Sequence, residues 1–403
     1  MRRFAVMHRK LVFAAMFCAG CASVQTTSNP PASDRPMRVV GYLASWGVRS
    51  KGTRIADLPA KDLTHIFYAF AQITPEGRVT LGDRCLDIGV CDSVAAVNPG
   101  GNFAELRALK ERYPHLRLVI SIGGWTRSGR FSDASLNDST RQLFAQSAIE
   151  TFMHQTNGLF DGIDLDWEYP TGGGAKGNVE RPEDKENFVL LLAEIRKQLA
   201  AQGVIDNKHY DLAIALGAGP RAASLDMARV ASQLDFIDVM TYDYHSGSTS
   251  TGFNSPLYAA KTDPTPEYNV DATIRRLLDA NVPANKLLVG IPFYARAYGN
   301  VQNTNAGLFQ PASGRPANWG NGDGDWKGLS KSRLKDPRFV RYWEPDARVP
   351  YLHDSTSGTW VTYDDPQSVA EKVRYVREHN LGGVMIWELG GDDGSLMRAI
   401  SGK

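Results

Sequence analysis

Four acidic residues fall in one short, otherwise apolar stretch, Asp161-Gly162-Ile163-Asp164-Leu165-Asp166-Trp167-Glu168-Tyr169-Pro170. Side chains alternate along a strand, so Asp164, Asp166 and Glu168 share one face, their Cα atoms stepping by about 6.5–7 Å. Three carboxyls in line in an apolar setting cannot all ionise cheaply. A proton is expected to be shared between Asp164 and Asp166, and Glu168 to hold its proton above the usual carboxyl range. A carboxyl protonated near neutrality is what a general acid needs. The same residue types serve in solvated acidic turns and helix caps, and a DxD pair can hold Mg²⁺. The apolar residues between the acids argue for the strand. With no HExxH motif in the chain, neither a metal nor a cofactor is expected.

Such a strand needs neighbours to hold it. Short β-rich runs recur at Arg38–Leu43, Thr64–Ala71, Arg117–Ile122, Gly162–Asp166, Asp211–Leu216, Phe236–Thr241, Leu287–Pro292 and Gly383–Trp387. Several are almost continuously apolar, which suits parallel strands covered on both faces. Helical patterns lie between them at Phe103–Tyr113, Ser139–Thr156, Glu183–Gln202, Asp226–Gln233, Asp271–Asn281 and Pro366–His379. This alternation predicts an α/β fold, and eight strands favour a closed (β/α)₈ TIM barrel over an open sheet. Glu168 would then stand at the C-terminal mouth, where such barrels carry their active sites. The interval from Ala297 to Tyr363 breaks the rhythm. It is rich in Gly, Asn, Asp and Trp, holds short β-like pieces at Val349–Leu352 and Thr359–Thr362, and is too long for a bare loop. It reads as a small α+β insertion between the seventh strand and its helix. The expected organisation is a signal segment over 1–21, a linker over 22–37, a barrel over 38–296 and 364–403, and the insertion over 297–363.

At this point the chain resembles glycoside hydrolase family 18. Asp161, Asp164, Asp166 and Glu168 fill that family's DxxDxDxE signature. Ser121-Ile122-Gly123-Gly124-Trp125, Met240-Thr241-Tyr242-Asp243 and Gly382-Gly383-Val384-Met385-Ile386-Trp387 match its third-, sixth- and eighth-strand motifs, in the right order. The resemblance implies a chitinase acting on chitin and N-acetylglucosamine oligosaccharides, with the insertion forming one wall of a deep cleft. By the same resemblance Glu168 protonates the glycosidic oxygen and Asp166 orients the 2-acetamido group that attacks the anomeric carbon. Asp164 would hold the proton that lets Asp166 change partners, Tyr242 would bond the acetamide, and Asp243 would support the sugar at the cut. The family is an exception to the scheme of two carboxylates about 5–5.5 Å apart.

Aromatic residues recur at strand ends: Tyr42, Trp46, Phe70, Trp125, Tyr242 and Trp387. Flat rings with polar tips suit pyranose faces, although rim packing uses the same residues. Tyr42, Phe70, Trp125 and Trp387, with Met240 and Arg296, are the substrate-binding candidates, Trp387 as the floor. His245 reads as a loop residue. Trp319, Trp326, Trp343 and Trp360 could wall the cleft or pack the insertion. Two other readings stay open: an endo-β-N-acetylglucosaminidase on glycans or peptidoglycan fragments, and a non-hydrolytic chitin-binding lectin. The lectin reading is disfavoured because such proteins typically lose the acid at the Glu168 position.

The remaining features bound partners and location. With 45 basic against 44 acidic residues and a net charge of +1, nothing points to a nucleic-acid partner. A monomer is expected. Arg2, Arg3, Arg9 and Lys10 precede an apolar run over Leu11–Ala19, the pattern of a secretory signal and too short to span a bilayer. Cys18-Ala19-Gly20-Cys21 resembles a bacterial lipobox, with Cys18 where Leu is usual, so Cys21 is a lipidation candidate and plain cleavage after Ala22 the alternative. The protein is expected to be secreted or held at the surface of a bacterium. Residues 22–36 are rich in Ser, Thr, Pro and Gln and read as a stalk. Outside the cytoplasm Cys85 and Cys91 are expected to form a disulfide, with two free thiols as the alternative.

Overall fold

The computed structural model describes Met1 and residues 36–92, 99–247, 249–320 and 322–403. Residues 2–35, which hold nearly all of the expected signal segment and linker and the lipidation candidate Cys21, lie outside the described residues.

The apolar runs become parallel strands: β1 (Arg38–Ala44), β2 (His65–Ile73), β4 (Arg117–Gly123), β5 (Gly162–Asp166), β6 (Asp211–Gly217), β7 (Phe236–Met240), β8 (Leu287–Pro292) and β13 (Gly383–Trp387). A two-residue strand, β3 (Val79–Thr80), lies antiparallel on the end of β2. The pairings run β1-β13-β8-β7-β6-β5-β4-β2, and β1 pairs with β2 to close the barrel. Each strand is buried on both faces because it carries two sets of apolar side chains. On β5, Ile163 and Leu165 join the outer cluster beneath the helices. Inside the barrel, Val40, Phe67, Val119, Phe236, Leu288 and Met385 form a packed inner cluster. That plug fills the interior in the way this fold requires; at its base the buried His65 packs on Phe236 with ring centres 5.2 Å apart, and the mouth end carries the acids.

Helix caps set where the helices enter. Asn137 and Thr140 form a capping box at the start of the helix Asp138–Ile149. Asp365 caps Pro366–Glu378, which has proline in its first turn, and Asn269 caps Val270–Asp279. Each cap satisfies backbone N–H groups that a helix start leaves unpaired. The pattern expected as one helix over Ser139–Thr156 is an α-helix to Ile149 followed by a π-helical turn, Glu150–His154. A final helix, Ser395–Ser401, follows β13; at seven residues it is too short to leave a periodic signal.

The long interval between β8 and the helix Pro366–Glu378 forms an antiparallel sheet of β9 (Arg296–Tyr298), β10 (Val340–Glu344), β11 (Val349–Asp354) and β12 (Thr359–Thr362), in the order β10-β11-β12-β9. Its own cluster gathers Tyr298, Val301, Tyr351 and Trp360 around Phe253. A buried ion pair, Lys372 Nζ to Asp364 Oδ2 at 2.7 Å, ties the end of this segment to the barrel helix, and Lys372 also donates to Ser255 Oγ at 2.7 Å.

Candidate active site

The acidic strand divides by position. Asp161, at its start, belongs to the bottom of the barrel. It accepts from Lys110 at 2.5 Å and Lys208 at 3.3 Å and bonds the Leu118 backbone N–H at 2.9 Å. From there Asp164 and Asp166 point inward, 0% and 4% exposed. Asp164 Oδ2 accepts from Tyr42 Oη at 2.9 Å and Ser121 Oγ at 2.6 Å. Asp164 Oδ1 and Asp166 Oδ1 have no hydrogen-bond partner among the described residues. Trp167 turns outward and stacks on Phe131 with centroids 5.2 Å apart, which returns Glu168 to the interior at the mouth. Two side chains fix its backbone: Ser128 Oγ accepts the Glu168 N–H at 2.9 Å, and Asn178 Nδ2 donates to its carbonyl at 3.0 Å.

Burial dominates the electrostatics. It lifts Asp164 to about 7, against the pull of the Ser121 and Tyr42 hydroxyls. Asp166 is pushed well above the carboxylate range, first by burial and then by Glu168, Asp164 and Asp238. Glu168 rises to about 7 through burial and the nearby Asp243 charge, with Tyr169 pulling the other way by hydrogen bonding. The stack therefore retains protons at neutral pH, because each further charge in a medium of low polarisability costs more than the last.

Above it opens a cleft of about 1240 Å³. Asp166, Glu168, Tyr242 and Asp243 line it, with Tyr42, Phe70, Trp125, Met240, Arg296 and Trp387. Asp164 is not a lining residue but sits beneath, reaching the cleft through Asp166 and Tyr42. Phe70 and Trp387 stack with centroids 5.7 Å apart and planes at 18°, and Trp46 continues the row 6.1 Å from Phe70. Trp125, just beyond the end of β4, meets Tyr169 at 6.4 Å. Asp243 takes a left-handed backbone conformation (φ +61°), with its N–H bonded to Asn254 Oδ1 at 3.0 Å. Its carboxylate receives Tyr294 Oη at 2.6 Å and both Nε and Nη2 of Arg296, the former at 2.6 Å. Tyr242 Oη lies 3.8 Å from Met385 Sδ. One protonated acid at the surface of an aromatic cleft, with a second carboxyl beside it, can deliver a proton to a bound acetal and orient a polar group on the same sugar.

Residues 38–392 match the sequence profile of Glycosyl hydrolases family 18. The chain belongs to that family. It is 37% identical to Chitinase A1 of Niallia circulans over 88% of this chain, and spans 56% of the length of that relative. It is 33% identical to Chitinase 1 of Aphanocladium album over 86% of this chain and 80% of the relative. Among solved structures, chitinase ChiA74 from Bacillus thuringiensis aligns with a TM-score of 0.83 at 34% identity, covering 91% of this chain and 70% of the other. A family 18 N-acetylglucosaminidase from Paenibacillus barengoltzii aligns at 0.78 and 34%, covering 91% and 99%.

Several parts of this family 18 chain take places that sequence reasoning left open. Among the described residues of 297–363 none is in the lining of the cleft; Tyr294 and Arg296, just before the segment, are. Trp360 is fully buried, and Trp319 and Trp326 are nearly so. Of the insertion's sheet, Arg296 at the start of β9 lines the cleft, whereas Trp319, Trp326 and Trp360 are taken up in packing and Trp343 is half-buried on β10. His245 is a buried loop residue bonded to Phe253 O at 2.9 Å and Thr265 Oγ1 at 3.0 Å. Cys85 and Cys91 are joined as a disulfide with Cα atoms 4.4 Å apart. Tyr169 and Tyr294 were missed as site residues. Both lie just beyond strand ends, so the rule that picked out Tyr42 and Phe70 would have found them.

A carboxyl whose folded-state value lies above its unfolded one binds its proton more tightly when folded. Stability is then lost as pH rises from the unfolded value towards the folded one. For Glu168, lifted from 4.5 to about 7, the ionised form costs on the order of 3 kcal/mol. Glu168→Gln is therefore expected to exceed the wild-type protein in stability by about that amount at pH 8 and to match it at pH 4. Urea unfolding at both values measures this, and parallel pH dependence of the two proteins would contradict it.

Proposed function

We propose that this chain is a chitinase that cleaves β-1,4 linkages between N-acetylglucosamine units by substrate-assisted, retaining catalysis. The observation that carries the reading is the buried acidic stack that ends in Glu168 at the base of an aromatic cleft. Glu168 protonates the leaving oxygen. The substrate's acetamide carbonyl oxygen attacks the anomeric carbon while Asp166 and the Tyr242 hydroxyl hold the acetamide in position. As Asp166 turns to the acetamide with its proton, Asp164 is left to carry charge, which the Tyr42 and Ser121 hydroxyls stabilise. Asp243, fixed by Arg296 and Tyr294, bonds the sugar at the cut. Water then opens the cyclic intermediate with Glu168 as base, and two inversions retain the β-anomer.

The row Trp387–Phe70–Trp46 and the Tyr169–Trp125 pair give stacking surfaces well beyond one sugar. That extent supports a linear oligomer as substrate over a single terminal residue. Action on N-glycans or peptidoglycan fragments is the second reading, favoured by the likeness to a family 18 N-acetylglucosaminidase. We also place the protein outside the cytoplasm as a monomer, released or anchored through Cys21. The basic-then-apolar N-terminus supports this reading, as does the disulfide, which persists in oxidising compartments.

Glu168→Gln is expected to lower kcat by a factor of about 10²–10⁴ with little change in the Kd for chitooligosaccharides; turnover near the wild-type rate would remove Glu168 from its role. Partially deacetylated chitosan should be cut only after N-acetylated units, because a free amine has no carbonyl oxygen to attack. Sequencing the new reducing ends tests this, and frequent glucosamine there would overturn the acetamide mechanism. If Cys21 is lipidated, Cys21→Ser should move the protein from membranes to the soluble fraction; an unmodified N-terminus by intact mass would exclude anchoring.

A further inference from the structure

A fourth carboxyl lies inside the barrel and takes no part in the mechanism above. Asp238 sits on β7 with Phe236 and Met240, whose side chains belong to or pack on the inner cluster, while Ile237 and Val239 face outward. It is 0% exposed, and neither carboxyl oxygen has a hydrogen-bond partner among the described residues. Buried polar groups are nearly always satisfied, so an acid with both oxygens unmatched calls for an explanation. Its position supplies one. Strand β6 runs between β5 and β7, and its register sets Ala213 beside Asp164 and Ala215 beside Asp238. Two methyl groups are all that β6 places between the two acids, and Asp164 Oδ1 is itself unmatched.

We propose that Asp238 is a positioning residue of the reaction that acts through Asp164, as a neutral carboxyl whose O–H dipole supports negative charge on Asp164 when Asp166 leaves with its proton. The proposal rests on the catalytic reading given above. An ionised Asp238 would oppose that charge; a neutral one, oriented towards it in low-dielectric surroundings, favours it. The titratable groups whose fields reach Asp238 are Asp164 on β5 and Arg38 on β1, and Asp238 acts in turn on Tyr42 and Asp166. Burial first, and Asp164 second, push its carboxyl well above the usual range, while Arg38 pulls the other way. Arg38 is held lower in the barrel, its guanidinium 5.1 Å from the Phe236 ring centre, and does not pair with Asp238. The facing residues of β6 and β8 (Ala213, Ala215, Leu288 and Gly290) carry no charge. No bond is made or broken at Asp238, and its proton stays on it throughout.

Two variants and one spectroscopic measurement test this. Asp238→Asn keeps shape, neutrality and an N–H donor, and should leave kcat within about threefold and the alkaline limb of the pH–rate profile in place. Asp238→Leu keeps volume but loses the dipole. It should lower kcat about tenfold at unchanged KM and move the alkaline limb upwards, because ionisation of the stack becomes harder. A limb that moves downwards in both variants would show that Asp238 carries charge, and a Leu variant with wild-type kcat would show that it does nothing; either overturns the proposal. Infrared difference spectra of wild type against Asp238→Asn at pH 8 should contain a protonated carboxylic C=O band. Absence of that band overturns the proposal without reference to activity. Absence of chitooligosaccharide hydrolysis by the wild type, with the band present, would instead count against the catalytic reading.

Discussion

The structure turns on the cost of charge inside a closed barrel. Asp164 is fully buried, Asp166 nearly so beneath the cleft it lines, and Glu168 stands at the boundary. Moving an ionised carboxylate into such surroundings costs several kcal/mol after relaxation, so the stack remains partly protonated at neutral pH. A glycosidase needs this, because its acid must still hold a proton when substrate arrives. The same cost explains the hydroxyls of Tyr42 and Ser121 on Asp164 Oδ2: they are placed where negative charge is least avoidable.

That cost is tolerated because the remainder of the barrel is apolar and well packed. The inner cluster plugs the lower interior, the outer strand faces meet the helices, and the stack lies on β5 with Asp238 on β7. Charged residues elsewhere are treated differently. Asp161, one step before the stack, is met by two lysines, and the buried Asp364 is met by Lys372. Asp164, Asp166 and Glu168 have no such cation beside them among the described residues. A lysine against Asp166 would secure its charge and make the strand easier to bury, but would remove the proton that the chemistry uses.

Much of this was legible in the sequence. The eight strands are almost continuously apolar and bounded by turn residues, so they could be placed to within one or two residues at nearly every end. The acidic strand was legible because its polar positions keep a period of two among Ile163, Leu165 and Trp167, which only a two-faced buried strand would need. What could not be read was the use of each tryptophan. Trp387 and Trp360 both lie in short β-like runs, yet one lines the cleft and the other is enclosed by Phe253, Tyr298 and Tyr351. The difference lies in contacts made across the fold, which local pattern does not carry. Asp238 was hidden for a related reason. In Phe236-Ile237-Asp238-Val239-Met240 a single acid among apolar residues reads as an interruption of a strand, and its relation to Asp164 appears only when β6 is seen to pass two alanines between them.

Rigidity and mobility are also divided along the site. The backbone of Glu168 is held at both its N–H and its carbonyl, by Ser128 and Asn178 on separate segments. Asp243 is clamped by Arg296 and Tyr294. Asp166 Oδ1, in contrast, has no hydrogen-bond partner among the described residues, so nothing on that oxygen resists rotation of the side chain. An acid that must meet an oxygen at a defined point gains from a fixed backbone, since a misplacement of about 1 Å can cost two orders of magnitude in rate. A carboxyl that must exchange one partner below for another above gains from having few bonds to break. On the proposed mechanism, the site thus fixes the residues that act at one place and puts the fewest hydrogen bonds on the one that acts at two.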